Sequence, residues 1–336
     1  MKNHLIFLII FLGTFAVKVT AQDPHFTQYF ASPLTLNPAM AGYFDADYRV
    51  SANFRNQWWS VGAPFITNTI SYDTKLMQTK IKERDVLAAG ILGLYDQSLS
   101  GGFKNINLSA TMAYSKALDV DGINNISAGF QFTYASRVLD FSKLDFATQF
   151  NGSGFDTNIP SNESFGSSRR SYLDINTGLL YTYRTDKTEL YAGGSIYHLT
   201  TPNISFLQDG KFNLPIRYTL HAGSRFQLGS TNSELFLSGL YMEQAGATEK
   251  NFGVAYGYLL NEDASVYAGC WYRVNDAIMP YAGLNYGSLQ FGFSYDIVNS
   301  SLKKASPKNG SFEVSLNLLI KKPRNVYTNY KRGRIF

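Results

Sequence analysis

The stretch NINLSATMAY (residues 105–114) decides the fold class, because apolar and polar residues alternate through it. Successive side chains of an extended strand point to opposite faces, so this strand has one apolar and one polar face. The polar face carries amides and hydroxyls, which would make a poor dry core but suit a solvated interior. Such a strand fits between lipid and a wet lumen. The apolar face consists of Ile106, Leu108, Ala110, Met112 and Tyr114.

The same alternation recurs in IRYTLHAGSRFQ (216–227), LQFGFSYD (289–296) and SFEVSLNL (311–318). Counting such segments predicts an all-β fold, a transmembrane antiparallel up-and-down β-barrel of about 14 strands. An even number of strands is the rule for single-chain bacterial barrels. The predicted strands are 47–57, 65–77, 86–96, 102–116, 123–137, 171–184, 188–198, 214–228, 233–243, 249–260, 264–274, 277–286, 288–297 and 311–320.

The lengths of the connections fit the same topology. If the chain enters the barrel from the periplasm, every second connection is a periplasmic turn, and such turns are short. The connections 185–187, 229–232, 261–263 and 287–288 fall on that side and are tight. The long connections 138–170, 199–213 and 298–310 fall on the extracellular side. The sequence therefore predicts short periplasmic turns and long extracellular loops.

The ends of the chain predict export. Lys2, an apolar stretch over 5–17 and the small residues before Gln22 form the pattern of a cleaved secretory signal peptide, residues 1–21. We expect a periplasmic N-terminal segment at 22–46, which plugs the periplasmic mouth or docks a partner. The barrel follows at 47–320. A periplasmic C-terminal tail, 321–336, carries six basic and no acidic residues.

Enzyme motifs are missing from the sequence. It contains no HExxH, no G-x-S-x-G and no P-loop, and a single cysteine cannot build a thiolate metal site. The net charge of +5 comes without the basic-aromatic interleaving of a nucleic-acid groove. We expect no enzymatic activity, no cofactor and no nucleic-acid partner. The charged and polar residues expected to face the lumen are Arg217, His221, Arg225, Asp296 and Glu313.

The start of the mature chain carries a family resemblance. QDPHFTQYF (22–30), followed by NPAMAG (37–42), resembles the opening of the PorP/SprF family, and RNQW (55–58) and SYD (294–296) are weaker matches. Those proteins are outer-membrane components of the type IX secretion and gliding machinery of Bacteroidota. The resemblance implies a location in the cell outer membrane, among its lipids. It also implies a role in secreting and attaching to the cell surface a client protein with a C-terminal sorting domain, such as an adhesin. Its further partners would be periplasmic lipoprotein and ring components of the machinery.

Two segments are candidates for binding partners, and two functions stay open. The candidate residues are Asp23, Pro24, His25, Phe26, Gln28, Asn37 and Pro38 in the opening segment, with Arg169 and Arg170 at the end of the long connection 138–170. One function is a secretion-linked binding platform, which the resemblance favours. The other is a passive porin or small-solute channel, which a bare barrel would suggest. The two differ in what fills the lumen.

Overall fold

The computed structural model describes residues 23–59, 63–78, 80–81, 84–163, 167–229, 232–300 and 310–322. Fourteen antiparallel strands form a closed barrel in which each strand pairs with its neighbours in the sequence and the first strand pairs with the last. The expected signal peptide and the tail beyond Lys322 lie outside the described residues. Of the helices in the described part of the chain, none is long and apolar enough to cross a membrane.

All fourteen strands coincide with predicted ones to within a few residues, so the predicted fold class is confirmed. The strands are β1 Tyr48–Gln57, β2 Phe65–Leu76, β3 Val86–Ser98, β4 Phe103–Ala117, β5 Asn124–Leu139, β6 Arg169–Arg184, β7 Thr188–Tyr197, β8 Arg217–Gln227, β9 Ser233–Gln244, β10 Ala247–Leu259, β11 Ala264–Arg273, β12 Ala277–Tyr286, β13 Leu289–Val298 and β14 Ser311–Ile320.

The alternation of the sequence becomes an alternation of burial. In β4, Leu108 is 61% exposed on the outer face, whereas the adjacent Ser109 is 3% exposed and hydrogen-bonded to Thr133 of β5 inside the barrel. Apolar side chains thus cover the outside, where lipid can solvate them, and polar side chains line the inside. This is the inverse of a water-soluble protein.

The barrel has two distinct ends. The near end is where β1 begins at Tyr48 and β14 finishes at Ile320, and the far end lies opposite. The four tight connections named above lie at the near end, and the two longest described connections, 140–168 and 198–216, lie at the far end. The far end also has two very short turns, 245–246 and 274–276. The predicted sorting therefore holds for the longest connections but not for every connection.

Residues 23–47, called the N-terminal plug below, lie inside the barrel. They contain three short helical turns, Tyr29–Ala31, Pro33–Leu36 and Pro38–Met40. Two of these turns begin with a proline, which is suited to a first helical position because its nitrogen has no proton to leave unpaired. Much of the barrel's core is built from plug side chains packed on the wall, such as Leu34, which is 1% exposed.

The position of this segment differs from expectation. The sequence predicts that 22–46 lies in the periplasm, where it plugs the barrel's mouth or docks a partner, but the described part of this segment runs through the lumen. The physical reason is pairing, because its buried polar groups find partners only on the inner face of the strands. Local sequence does not reveal those partners.

Candidate functional site

The plug begins at the far end of the barrel. The backbone nitrogen of Asp23 donates to Oε1 of Gln244, the last residue of β9, at 2.8 Å. The Asp23 carboxylate lies 3.2 Å from Nη1 of Arg217, the first residue of β8. From there the chain runs through the lumen to the near end, where β1 starts. The first described residue of the chain therefore lies at the opposite end of the barrel from the start of the first strand.

An imidazole links the start of the plug to the wall. Nε2 of His198, just after β7, lies 2.5 Å from Asp23, and Nδ1 lies 2.6 Å from Asp174 of β6. Burial alone would disfavour the imidazolium, but the two carboxylates outweigh it and raise the pKa of His198 to about 8. Burial likewise opposes the charge on Asp23, yet His198 and Arg217 hold its pKa well below the usual range. Asp23, His198 and Asp174 are called the clasp below, and its pair of Asp23 and His198 is charged at neutral pH.

A second set of charged residues holds the plug deeper in the lumen, at Thr27 and Gln28. Arg55 is fully buried and binds Asp296 at 2.9 Å and Glu313 at 3.4 Å. Arg273 also reaches Asp296, at 3.3 Å. Thr27 of the plug donates to Asp296 through its hydroxyl, at 2.7 Å. These residues come from β1, β11, β13 and β14, so four strands share one cluster.

Glu313 is the direct anchor of the plug backbone. Its two carboxylate oxygens accept the backbone N–H groups of Thr27 at 2.8 Å and Gln28 at 3.0 Å. Gln28 adds side-chain bonds to Ser294 and Ser315. The plug thereby adds two donors to a buried glutamate whose charged partner on the wall is Arg55.

The middle of the plug lies directly on the backbone of the wall. The Asn37 side chain donates to the carbonyl oxygens of Leu179 at 2.9 Å and Gly194 at 3.2 Å, and lies 3.0 Å from Nε2 of His221. Two glycines make room for this contact. A Cβ on Gly178 would come within 2.0 Å of Oδ1 of Asn37, and one on Gly129 would come within 2.4 Å of the backbone of the plug at Ala39.

At the near end the plug is held by a carboxylate and a guanidinium. Asp73 of β2 accepts the backbone N–H of Gly42 at 2.9 Å and pairs with Arg49 at 2.8 Å. Arg49 in turn donates to the carbonyl oxygens of Met40 and Tyr43. The plug is therefore bound at both ends and in the middle, which is a fixed arrangement rather than a loose tether.

The residues singled out from sequence take these places. The expected lumen-facing residues Arg217, His221, Asp296 and Glu313 lie on the inner face and are buried. All four contact the plug. Arg225 lies closer to the near end of the barrel, beside Tyr191, and pairs with Glu234 at 2.9 Å. The interior charges therefore mainly hold the plug and do not line an open path.

The candidate partner-binding residues divide into two groups. Asp23, His25, Gln28 and Asn37 bind the chain's own wall, and Phe26 and Pro38 are buried beside them, while Pro24 is half-buried. Arg169 is exposed at the far end. Arg170 donates to the carbonyl oxygens of Ser205 and Leu207 and so ties the connection 198–216 to β6.

Sequence reasoning missed several residues that hold the plug. Arg55, Asp73 and Arg273 each sit at a polar position of an alternating strand, which marks them as inward-facing. Arg55 also stands in the RNQW stretch that carries part of the family resemblance. A charge on the inner face of a barrel is ordinary, so the sequence alone could not single them out. Their common partner, the plug, gives them their role.

A cavity of about 770 Å³ lies between the plug and the wall and reaches the near end. Phe30 and Met40 of the plug form part of its lining. Aromatic rings of the wall line it as well: Tyr191, Phe236, Tyr267, Trp271 and Tyr281. Among the described residues, no group of three or more histidine, cysteine or carboxylate side chains is placed to hold a metal ion.

The family comes from a comparison of the whole sequence. A family model described as "Type IX secretion system membrane protein PorP/SprF" matches residues 18–318. The chain belongs to this family. PorP/SprF proteins are membrane components of the type IX secretion system, so this barrel is an outer-membrane barrel of that system. No curated protein sequence matches the chain.

Solved structures share the fold of this PorP/SprF protein at low sequence identity. The toluene transporter TbuX of Ralstonia pickettii is 12% identical with a TM-score of 0.50, over 86% of this chain and 94% of that one. A FadL homologue of Pseudomonas aeruginosa is also 12% identical with a TM-score of 0.50, over 84% of this chain and 92% of that one. At this identity the likeness concerns the barrel alone.

Proposed function

We propose that this PorP/SprF protein is a non-enzymatic barrel that supports the secretion and surface attachment of a client protein, an adhesin with a C-terminal sorting domain. Gliding would depend on it through such an adhesin. Membership of the type IX secretion family carries the proposal. The plugged lumen adds support, because a binding platform needs a rigid scaffold and does not need an open path.

The sides of the membrane follow from the strands. Both ends of the barrel's chain, Tyr48 and Ile320, lie at the near end, and bacterial barrels keep such ends in the periplasm. The near end would then meet periplasmic lipoprotein and ring components. The far end, with 140–168 and 198–216, would face the outside and meet the client. Loops on a rigid scaffold are the usual place for recognition residues.

A passive small-solute channel is the second candidate. The barrel resembles that of the toluene transporter TbuX, and this is the observation that favours a channel. However, Arg55 and Glu313 are each at most 1% exposed where the plug crosses the lumen. At this level of the lumen the plug is bonded to the wall, so the platform fits the arrangement better.

The long connection 140–168 offers the test. Replacing 148–168 with a short Gly-Ser turn removes contacts that are mostly internal, such as the bond of Thr148 to Ser161 and that of Gln149 to Ile159. We therefore expect the barrel to assemble and the adhesin at the cell surface to decrease. Surface labelling of the adhesin measures display, and single-channel recording of the purified barrel measures conductance.

The control is an equal Gly-Ser replacement of 118–123, which joins β4 to β5 at the near end. It should leave display unchanged. Normal display together with a raised conductance in the 148–168 variant would instead identify a channel that this connection narrows. The platform thus predicts reduced adhesin display in this variant, and the channel predicts normal display with raised conductance.

A further inference from the structure

The cavity at the near end has the lining of a binding site. It measures about 770 Å³, which lies within the range of pockets that hold small ligands or a few peptide residues. The plug has taken up the lumen on its other side but has left this volume free of protein. Aromatic and hydroxyl groups line it together, so it differs from the aliphatic gaps of an ordinary core.

The charges around this cavity leave a surplus of carboxylate. Its four basic residues are all paired: Arg49 with Asp73, Arg184 with Glu189, Arg225 with Glu234, and Lys321 with Asp45. Glu262 and Asp263, on the turn between β10 and β11, line the opening and have no side-chain partner in the part of the chain that the structure describes. An approaching cation therefore meets two free carboxylates at the rim.

The aromatic rings favour the same sign of charge. The faces of tryptophan, tyrosine and phenylalanine rings are electron-rich and attract ammonium and guanidinium groups. Phe30, Trp271 and Tyr281 lie within 5.7 Å of one another by ring centroid and form one aromatic group in the lining. The same rings also bury apolar or aromatic side chains of a ligand. Carboxylates at the rim and rings inside thus select a cationic ligand that also has apolar surface.

We propose that this near-end cavity binds a cationic peptide segment that carries aromatic side chains, supplied by a protein on the near side of the membrane. The rim would bind its lysine or arginine side chains, and the rings would pack on its aromatic ones. Side-chain amides line the cavity as well, among them those of Gln290 and Asn317, and amide groups are suited to pairing with a peptide backbone.

A binding assay with the purified full-length barrel in detergent tests this directly. The probe is a fluorescent peptide of the sequence KKPRNVYTNYKRGRIF, which is that of residues 321–336 and has the proposed chemistry. We expect saturable binding by fluorescence anisotropy. A peptide with glutamine in place of its six basic residues, and one with alanine in place of its tyrosines and phenylalanine, should each bind at least about tenfold more weakly.

Variants of the barrel locate the site. Glu262→Gln with Asp263→Asn should weaken binding about tenfold, and Gln290→Trp, which puts a large ring at the cavity lining, should abolish it. The matched control is Asp145→Asn with Glu163→Gln in the far-end connection, which should leave the affinity unchanged. The shift of the folded barrel on unheated gels shows that each variant is folded.

One more variant distinguishes the two possible sources of the peptide, another protein and the chain's own tail. The barrel that stops after Lys322 should bind the probe more tightly than the full chain if the chain's own tail competes for the cavity. Equal affinity supports another protein as the source of the peptide, and tighter binding by the shortened barrel overturns that source in favour of the tail. The proposal is overturned if the two cavity variants bind the probe with unchanged affinity, or if the glutamine peptide binds as tightly as the probe. Secretion plays no part in this assay, so its failure leaves the proposed function untouched.

Discussion

At the residue scale, His198 lies between Asp23 and Asp174 and joins the start of the plug to the barrel wall through charged groups. A lone imidazolium buried beside the plug would be unfavourable, but two carboxylates within 2.6 Å stabilise it. The pKa of His198 is raised from its usual value of 6.5 to about 8. The clasp therefore responds to pH near neutrality.

We predict that the barrel loses stability as the pH rises past this value. Because the folded pKa is raised, the contribution of His198 is complete below about pH 6.5 and disappears as the pH rises through about 8. The loss is up to about 2 kcal/mol in the free energy of unfolding, from 1.36 kcal/mol per pKa unit. Denaturant unfolding in lipid vesicles at pH 6 and pH 9 measures it. A His198→Gln variant should lack this component, and an equal pH dependence in both proteins would contradict the assignment.

At the element scale, each strand separates two environments by its alternation, and the sequence predicted this well. The bounds of all fourteen strands followed from a period of two, because lipid outside and polar groups inside impose that period on every strand. What the inner face touches could not be predicted. The alternation predicts that Ser315 faces a solvated lumen, but its side chain is buried, 3% exposed, and donates to Oε1 of Gln28 at 2.6 Å.

An arginine scan of β13 and β14 tests the two faces. Leu316→Arg and Phe291→Arg place a charge on the lipid face, where it should cost ~2–4 kcal/mol near the midplane. Gln290→Arg lines the near-end cavity and should be mild. Ser315→Arg should be costly for a different reason, since it displaces Gln28 of the plug. Folding into vesicles measures all four, and equal costs at Gln290 and Phe291 would refute the facing.

At the scale of the whole molecule, the lumen is filled by the chain's own N-terminal plug. The sequence identified the opening segment as special but not its path, because each of its contacts joins residues far apart. Thr27 meets Glu313 across 286 positions, and Asn37 meets His221 across 184. Neither composition nor periodicity carries information on such pairs. The candidate residues of the opening motif were therefore assigned to outside partners, whereas their described contacts are internal.

Displacing the plug should open the barrel to ions. Gly129→Leu with Gly178→Leu puts side chains where the plug backbone and Asn37 now lie, within 2.4 Å. The strands themselves should still pair, so we expect a folded barrel with a raised single-channel conductance. The control for the added leucine itself is Gly239→Leu on the outer face of β9, where the nearest atom to an added Cβ is 3.5 Å away, on the exposed Phe252. An unchanged conductance in the double variant would mean that the plug does not close the lumen.

The charge cluster around Arg55 also bears on how the ring of strands comes together. β1 and β14 must find each other across nearly the whole chain, which is the entropically slowest pairing in the barrel. Arg55 lies opposite Glu313 in that register, and Glu313 also binds Thr27, which precedes β1 by only 21 positions. The plug can therefore bring the first strand to the last one and lower the entropic barrier to ring closure. A barrel without the plug would close slowly, and once closed it would exclude the plug. The plug therefore has to enter the lumen before β1 pairs with β14.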